Sequence, residues 1–270
     1  MTAAATASPL SGITVLVTRP RESALSRALR RAGARVSWQP AIRIEQDIPT
    51  PELDAALRRV TGFEWIVFTS AHGVSAFWRR ARALQIDRET LRAARFAAVG
   101  PATASAIVRG GARVEVTADP HSAEGLIVQL ASRLEEGSTV LYPRASGARP
   151  ILVDGLRRLG ALITEAVAYE TRPAATLATL PAILEAGVDC VVFCSPSAVN
   201  AVLPHHALIA RSAIACIGPT TADAVSAAGL RAEIIPPRAT AAALADAVID
   251  HFHPGAAAAV AIADFEVSAP

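Results

Sequence analysis

The chain has no lysine: all 26 of its basic residues are arginine. This excludes Schiff-base catalysis and any P-loop, because both need a lysine amine. An anion bound here meets planar guanidinium forks instead, which suit carboxylate or phosphate. Cysteine is nearly as scarce, and three residues make no disulfide framework. Cys190 and Cys194 fall on one face of an apolar run and Cys216 on the next, a pattern that predicts small, buried, inert side chains. No stretch reaches the ~18 apolar residues of a membrane span. The opening residues, MTAAATASPL, lack the basic and apolar regions of a secretion signal, so no membrane and a cytoplasmic location are expected. A net charge of +2 is too small for a nucleic-acid footprint, so no nucleic-acid partner is expected. GxGxxG, GxSxG, paired carboxylates and metal-ligand spacing are missing as well. His205, His206, His251 and His253 lie apart from any converging Cys or carboxylate, so no metal site is expected.

What is present is a repeat. With 52% hydrophobic and 19% charged residues, the 270-residue chain is globular, in one large or two medium domains. WIVFTSAHGV (65–74) is echoed by CVVFCSPSAV (190–199), and AAVGPATA (97–104) by ACIGPTTA (215–222). Two ordered echoes at nearly constant spacing point to internal duplication. The matching continues in VLVTRP (15–20) and VLYPRA (140–145), GARV (33–36) and GALI (160–163), and GARVEV (111–116) and GLRAEI (229–234). Short, continuously apolar runs alternate with segments of helical periodicity, which predicts an α/β fold of parallel strands covered on both faces. Ten strands are expected, five per copy, the last being AEIIP (232–236). The residues before Ile13 and after Pro254 have no counterpart and are expected to be loose ends. RVSWQPAIRIEQ (35–46) and LITEAVAYETRP (162–173) are long extended stretches, each suited to connect one domain to the other.

The chemistry is expected at the strand ends. Thr69, Ser70 and His72 follow one strand; Ser195, Pro196 and Ser197 follow its twin. Gly100, Pro101 and Thr103 are matched by Gly218, Pro219, Thr220 and Thr221. Glycine permits close backbone approach, proline opens a helix without a wasted N–H, and the hydroxyls either cap the helix or join its free N–H groups in binding an anion. Arg19 and Arg144, at equivalent strand ends, either meet an acidic ligand or stay solvated. Tyr169, one of two tyrosines, either donates a proton or packs a domain junction with its hydroxyl satisfied.

The ordered set VLVTRP, WIVFTS, AVGPATA, VLYPR, VAYET, VVFCSPSAV and IGPTTADA, spanning Ile13 to Phe252, resembles uroporphyrinogen-III synthases. The resemblance implies two flavodoxin-like, three-layer parallel-sheet domains with exchanged chain segments, joined by a two-stranded β-ladder and facing each other across a cleft. Their bounds would be 1–38 plus 173–254 and 39–172, with a flexible tail at 255–270. It implies cyclisation of a small-molecule substrate, linear hydroxymethylbilane, to uroporphyrinogen III with loss of water and inversion of ring D, and no cofactor. It implies a monomer that meets the bilane-forming enzyme only transiently. Carried over by position, Thr69, Ser70, Gly100 and Thr103 line one lip and Ser195, Ser197, Gly218 and Thr221 the other. Tyr169 then sits near the hinge as the acid that assists hydroxyl departure, while His72 and Pro196 carry no catalytic role. The competing reading is a module or regulator that binds an acidic tetrapyrrole-like ligand without reaction.

Overall fold

The computed structural model of the chain describes residues 8–256. The chain begins with β1 (Thr14–Val17), α1 (Ala24–Arg31), β2 (Arg35–Trp38) and β3 (Ile42–Glu45). It continues through α2 (Pro51–Arg58), β4 (Trp65–Phe68), α3 (Ala71–Ala83), α4 (Arg88–Arg92), β5 (Arg95–Ala98), α5 (Pro101–Gly110), β6 (Val114–Thr117) and α6 (Ala123–Ala131). Next come β7 (Thr139–Ala145), α7 (Ile151–Arg158), β8 (Leu162–Pro173) and α8 (Leu180–Glu185). The last elements are β9 (Cys190–Phe193), α9 (Pro196–Val202), α10 (His206–Ile209), β10 (Ala213–Cys216), α11 (Pro219–Ala227) and α12 (Ala241–Phe252).

The chain divides into two compact units. One takes the N-terminal region to Arg43 and resumes at Arg172; the other is Ile44–Thr171. Both boundaries fall inside strands, in β3 and in β8.

In the first unit a four-stranded sheet runs β10-β9-β1-β2, with all three pairings parallel. Successive residues of its strands feed opposite faces, the period-two rule. Val15, Val17, Cys190 and Val192 pack with Leu25 and Leu29 of α1 and Leu244 and Val248 of α12. Leu16, Val191 and Phe193 pack on the other face with residues of α8, α9 and α11. The four-residue spacing of Leu25 and Leu29, and of Leu244 and Val248, makes one apolar stripe per helix. Each fully buried leucine contributes about 1.5–3 kcal/mol, so Leu29→Ala would cost about 2–5 kcal/mol once its cavity is counted.

In the second unit six strands run β3-β8-β7-β4-β5-β6. One face packs on α2, α3 and α5 through Ile66, Phe68, Leu141, Ala166, Ala168 and Tyr169. The other packs on α6 and α7 through Trp65, Val67, Val140 and Tyr142. Taking VLYPR of β7 as the equivalent of VLVTR of β1, the strand orders of the two units correspond, and each reverses direction between the paired central strands: β1 beside β9, β7 beside β4. Such switch points are where open α/β sheets hold ligands, outside the carboxyl ends of the strands.

Two expectations need correction. AEIIP (232–236) is no strand; it makes a single bridge, Ala215 to Ile234. The Glu233 carboxylate accepts from the Ile214 N–H at 2.6 Å, taking a place a ladder carbonyl would fill. Pro236 and Pro237 then follow, and neither has an N–H to extend a ladder. The tenth strand is β3 instead, within the stretch expected only as a connector. Nor are the segments flanking the repeat all loose. Leu10 is fully buried against α1 and α12, with its N–H on the Ala32 carbonyl at 2.8 Å, and Ala256 packs on the same core. The rest of the expected tail, from 257 on, lies outside the described residues. Among the described residues, no helix is long and apolar enough to cross a membrane.

Candidate active site

At the switch point of the second unit, β4 runs out at Phe68 into Thr69 and Ser70, and α3 begins at Ala71. Ser70 is extended and its hydroxyl accepts from the His72 N–H at 3.0 Å, an N-cap that satisfies one of the helix's orphan donors. Period two along β4 sends Trp65 and Val67 to the α6–α7 face and Ile66 and Phe68 to the α3 face. Thr69 continues the first series and Ser70 the second. Thr69 Oγ1 lies 3.1 Å from the hydroxyl of Tyr142, and the phenol of Tyr169 lies close enough to Ser70 to feel its hydroxyl.

Tyr169 reaches Ser70 because of an irregularity in β8. The strand pairs in parallel with β7, Arg144 opposite Val167, but Ala145 stands opposite Tyr169. One extra residue, Ala168, is accommodated there. Strict alternation would put Tyr169 on the side of Ile163; the bulge turns it to the face of Ala166 and Ala168. On that face it packs beside Gly73, where a side-chain carbon would stand 3.1 Å from the Pro143 carbonyl and 3.6 Å from Tyr169 Cε1. Glycine thus lets α3 approach the ends of β7 and β8 closely. Tyr169 is 7% exposed. Burial raises its pKa, an effect partly offset by the neighbouring Ser70 hydroxyl. The phenol therefore holds its proton at neutral pH. The His72 ring lies 6.1 Å from the Tyr169 ring.

Arg144, expected as a carboxylate partner, is occupied. Its Nε sits 2.8 Å from Glu165 Oε2, off the hydrogen-bonding direction, and its Nη1 donates to the carbonyls of Ala145 and Ser146. Arg157 approaches the same carboxylate at 3.2 Å, so two guanidinium groups share one counter-charge and a net positive charge remains. Next along the sheet, Gly100 precedes α5 in extended backbone, with Val99 donating to the Phe68 carbonyl. Thr103 is buried in the first turn of α5 and presents little surface to a ligand.

In the first unit, Ser195 caps α9 through the Ala198 N–H at 3.3 Å, and Ser197 is exposed in its first turn. Gly218 precedes α11 in extended backbone, and Thr221 is as buried as Thr103. The Arg19 guanidinium lies near enough to the Cys194 thiol to lower its pKa, and the Arg19 carbonyl accepts from Trp38 Nε1 at 3.0 Å. Both edges thus carry helix N-termini whose free N–H groups favour anions. Tyr142 went unnoticed in the sequence; its signal was a paired departure, Tyr142 and Thr69 standing where the other copy has Val17 and Cys194. A hollow of about 600 Å³ opens at the other edge of the sheet among Arg59, Phe63, Thr139 and Leu162. It is remote from these turns, and Arg59 there lies over the Phe63 ring.

Known proteins resemble this chain in sequence and in fold. The family described as "Uroporphyrinogen-III synthase HemD" matches residues 23–246. The chain is 30% identical over 227 residues to uroporphyrinogen-III synthase of Synechococcus elongatus, covering 79% of this chain and 85% of that one. It is 28% identical over 232 residues to the Chlorobaculum parvum enzyme, covering 83% and 92%. Among solved structures, a mutant uroporphyrinogen III synthase of the extreme thermophile Thermus thermophilus superposes with a TM-score of 0.66 at 20% identity, over 88% of this chain and 96% of that one. Uroporphyrinogen-III synthetase of Helicobacter pylori gives 0.60 at 17%, over 88% and 99%. These two likenesses concern the fold; the sequence matches reach further, and by them the chain belongs to the uroporphyrinogen-III synthase family.

Proposed function

We propose that this chain cyclises hydroxymethylbilane to uroporphyrinogen III with Tyr169 as the proton donor to the departing hydroxyl. The observation that carries the reading is the β8 bulge, which turns a buried, protonated phenol onto Ser70 at a switch point. The pyrrole nitrogens of the bilane push out the hydroxyl, which takes the phenolic proton and leaves as water. The azafulvenium cation so formed is attacked by ring D, through a spiro intermediate that inverts that ring. The proton lost when the last pyrrole regains aromaticity returns to the phenolate, and the balance closes. A positioned acid contributes about 10²–10⁴-fold. Holding one folded conformer supplies more, on the order of 7–11 kcal/mol.

The substrate's acetate and propionate groups need anion partners. Ser70, Ser195, Ser197, Gly100, Gly218 and the helix N–H groups beside them fill that role, at about 0.3–1 kcal/mol per helix N-terminus. Arg19 and the surplus charge around Glu165 add to it. Thr69, Thr103 and Thr221 support these turns from beneath. In this reading the enzyme is a cytoplasmic monomer that meets the bilane-forming enzyme transiently; sedimentation at micromolar concentration tests the monomer. Incubation with freshly made hydroxymethylbilane, followed by oxidation and separation of the porphyrin isomers, tests the reaction. Type III product well above the spontaneous rate is expected. Type I alone at the spontaneous rate would leave only a binding module.

A further inference from the structure

The two tyrosines of the chain grip consecutive residues from opposite faces of one sheet. Tyr169 belongs to the core beneath α3 and packs beside Gly73, three residues past Ser70. Tyr142 belongs to the core beneath α6 and α7, is 3% exposed, and places its hydroxyl 3.1 Å from Thr69 Oγ1. Thr69 and Ser70 lie beyond the last residue of β4, where the ladder with β5 and β7 no longer sets their orientation. The hydrogen bond from Tyr142 does so on one face, and the packing of Tyr169 against the start of α3 on the other.

We propose that Tyr142 is a positioning residue for the reaction, holding Thr69 so that Ser70 is presented to Tyr169. The inference rests on the reading of Tyr169 as proton donor. Tyr142 itself is on the wrong face to touch a substrate held at Tyr169, so it acts through the 69–70 backbone. Packing alone does not account for the pair. The other copy fills the equivalent sites with Val17 and Cys194, both apolar in character and packed in one core. A buried hydroxyl pair replaced at both ends by apolar groups of like shape is nearly neutral for stability. The second unit keeps the pair at the one turn where a proton donor is seated.

The test is a double-mutant cycle on the intact enzyme with Tyr142→Phe and Thr69→Val, scored by kcat, KM and isomer ratio. Each single change should lower kcat about tenfold with KM within about twofold, since a small misplacement of a reacting group is costly. The double variant should be no slower than either single one, because both remove the same bond. Thr69→Ser, which keeps the hydroxyl, should restore most of the rate. Wild-type turnover in both single variants, losses that multiply in the double, or a raised KM with unchanged kcat would each overturn the proposal. Should Tyr142→Phe fail to fold, the contrast between Thr69→Val and Thr69→Ser decides it. Tyr169→Phe, run alongside, separates the two readings. Full activity there removes the proton donor, whereas a slow Tyr169→Phe beside a fully active Tyr142→Phe removes only the positioning role.

Discussion

The strand-end turns of the two units share one backbone plan and differ in what lies underneath. In register, Val17 stands opposite Trp38 in one sheet and Tyr142 opposite Glu165 in the other, so VLVTR and VLYPR are equivalent in space as well as in sequence. Ser70 and Ser195 both cap the helix that follows. Beneath Ser70 are hydroxyls: Thr69 with Tyr142, and Tyr169. Beneath Ser195 are a valine and three thiols, of which Cys190 and Cys216 are fully buried. On the proposed reading, the duplicated scaffold supplies anion-binding helix starts twice and acid chemistry once. A reaction that needs many carboxylate contacts but a single proton transfer calls for such an asymmetry.

The largest expected effect to break this comparison is alkaline. Burial, reinforced by neighbouring Glu233, pushes Cys190 and Cys216 up to about 12, and burial carries Cys194 to about 11 against a pull from Arg19, all from an ordinary value of 9.0. A group whose pKa is raised on folding stabilises fully below its unfolded value and loses that contribution as pH climbs to the folded one. The first unit should therefore weaken from about pH 9, each thiol removing up to about 1.4 kcal/mol per pH unit. The second unit, whose raised acidic groups are tyrosines with an ordinary value of 10.0, should begin to weaken about one unit later. Urea midpoints and thiol alkylation rates between pH 8 and 10.5 check this. A variant with Cys190, Cys194 and Cys216 changed to alanine should be less stable throughout but nearly flat below pH 10; an equal slope in it would refute the account.

Tyr169→Phe comes next, with an expected loss of about 10²-fold in kcat. Unchanged turnover and isomer ratio would make the two turns equals after all. Smaller still is a graft that makes the second unit resemble the first. Thr69→Cys combined with Tyr142→Val should cost about tenfold in kcat, on the order of 1.4 kcal/mol, while Cys194→Thr with Val17→Tyr should bring no gain. The smallest effect is Ser195→Ala, which removes a cap worth about 1 kcal/mol. Ser70→Ala loses a similar cap and also the contact with Tyr169, so it should cost more activity at a similar stability. Thermal midpoints and kcat measured together separate the two serines.

Much of this was legible in the sequence because it follows from periodicity and from punctuation at strand ends. Continuous apolar runs such as WIVF and CVVF predict buried parallel strands, and GPAT and GPTT predict helix starts after them. The bulge was not legible. LITEAVAY reads as an ordinary strand, and only pairing with β7 reveals that Ala168 is one residue too many. AEIIP misled because AEII has much the same β-forming character as VEVT; the difference lies in a side chain competing for one N–H and in two prolines downstream. Leu10, a single leucine in a run of small residues, gave no periodicity to read, and its burial depends on helices far along the chain. Tyr142 was missed because its partner is 73 residues away on another strand.

The split of the first unit across the chain sets an order of events during synthesis. Thr14, at the start of β1, gives its N–H to the Asp189 carboxylate, 175 residues later. At about 5–20 residues per second, β1 and β2 wait roughly 9–35 s after they are made before β9 is made. The continuous unit from Ile44 to Thr171 is complete before then. On the ribosome the half of the molecule bearing both tyrosines is thus finished first, while the apolar strand β1 stays without its neighbour β9. That interval, more than the finished fold, is where the chain is most exposed to aggregation and has most to gain from a chaperone.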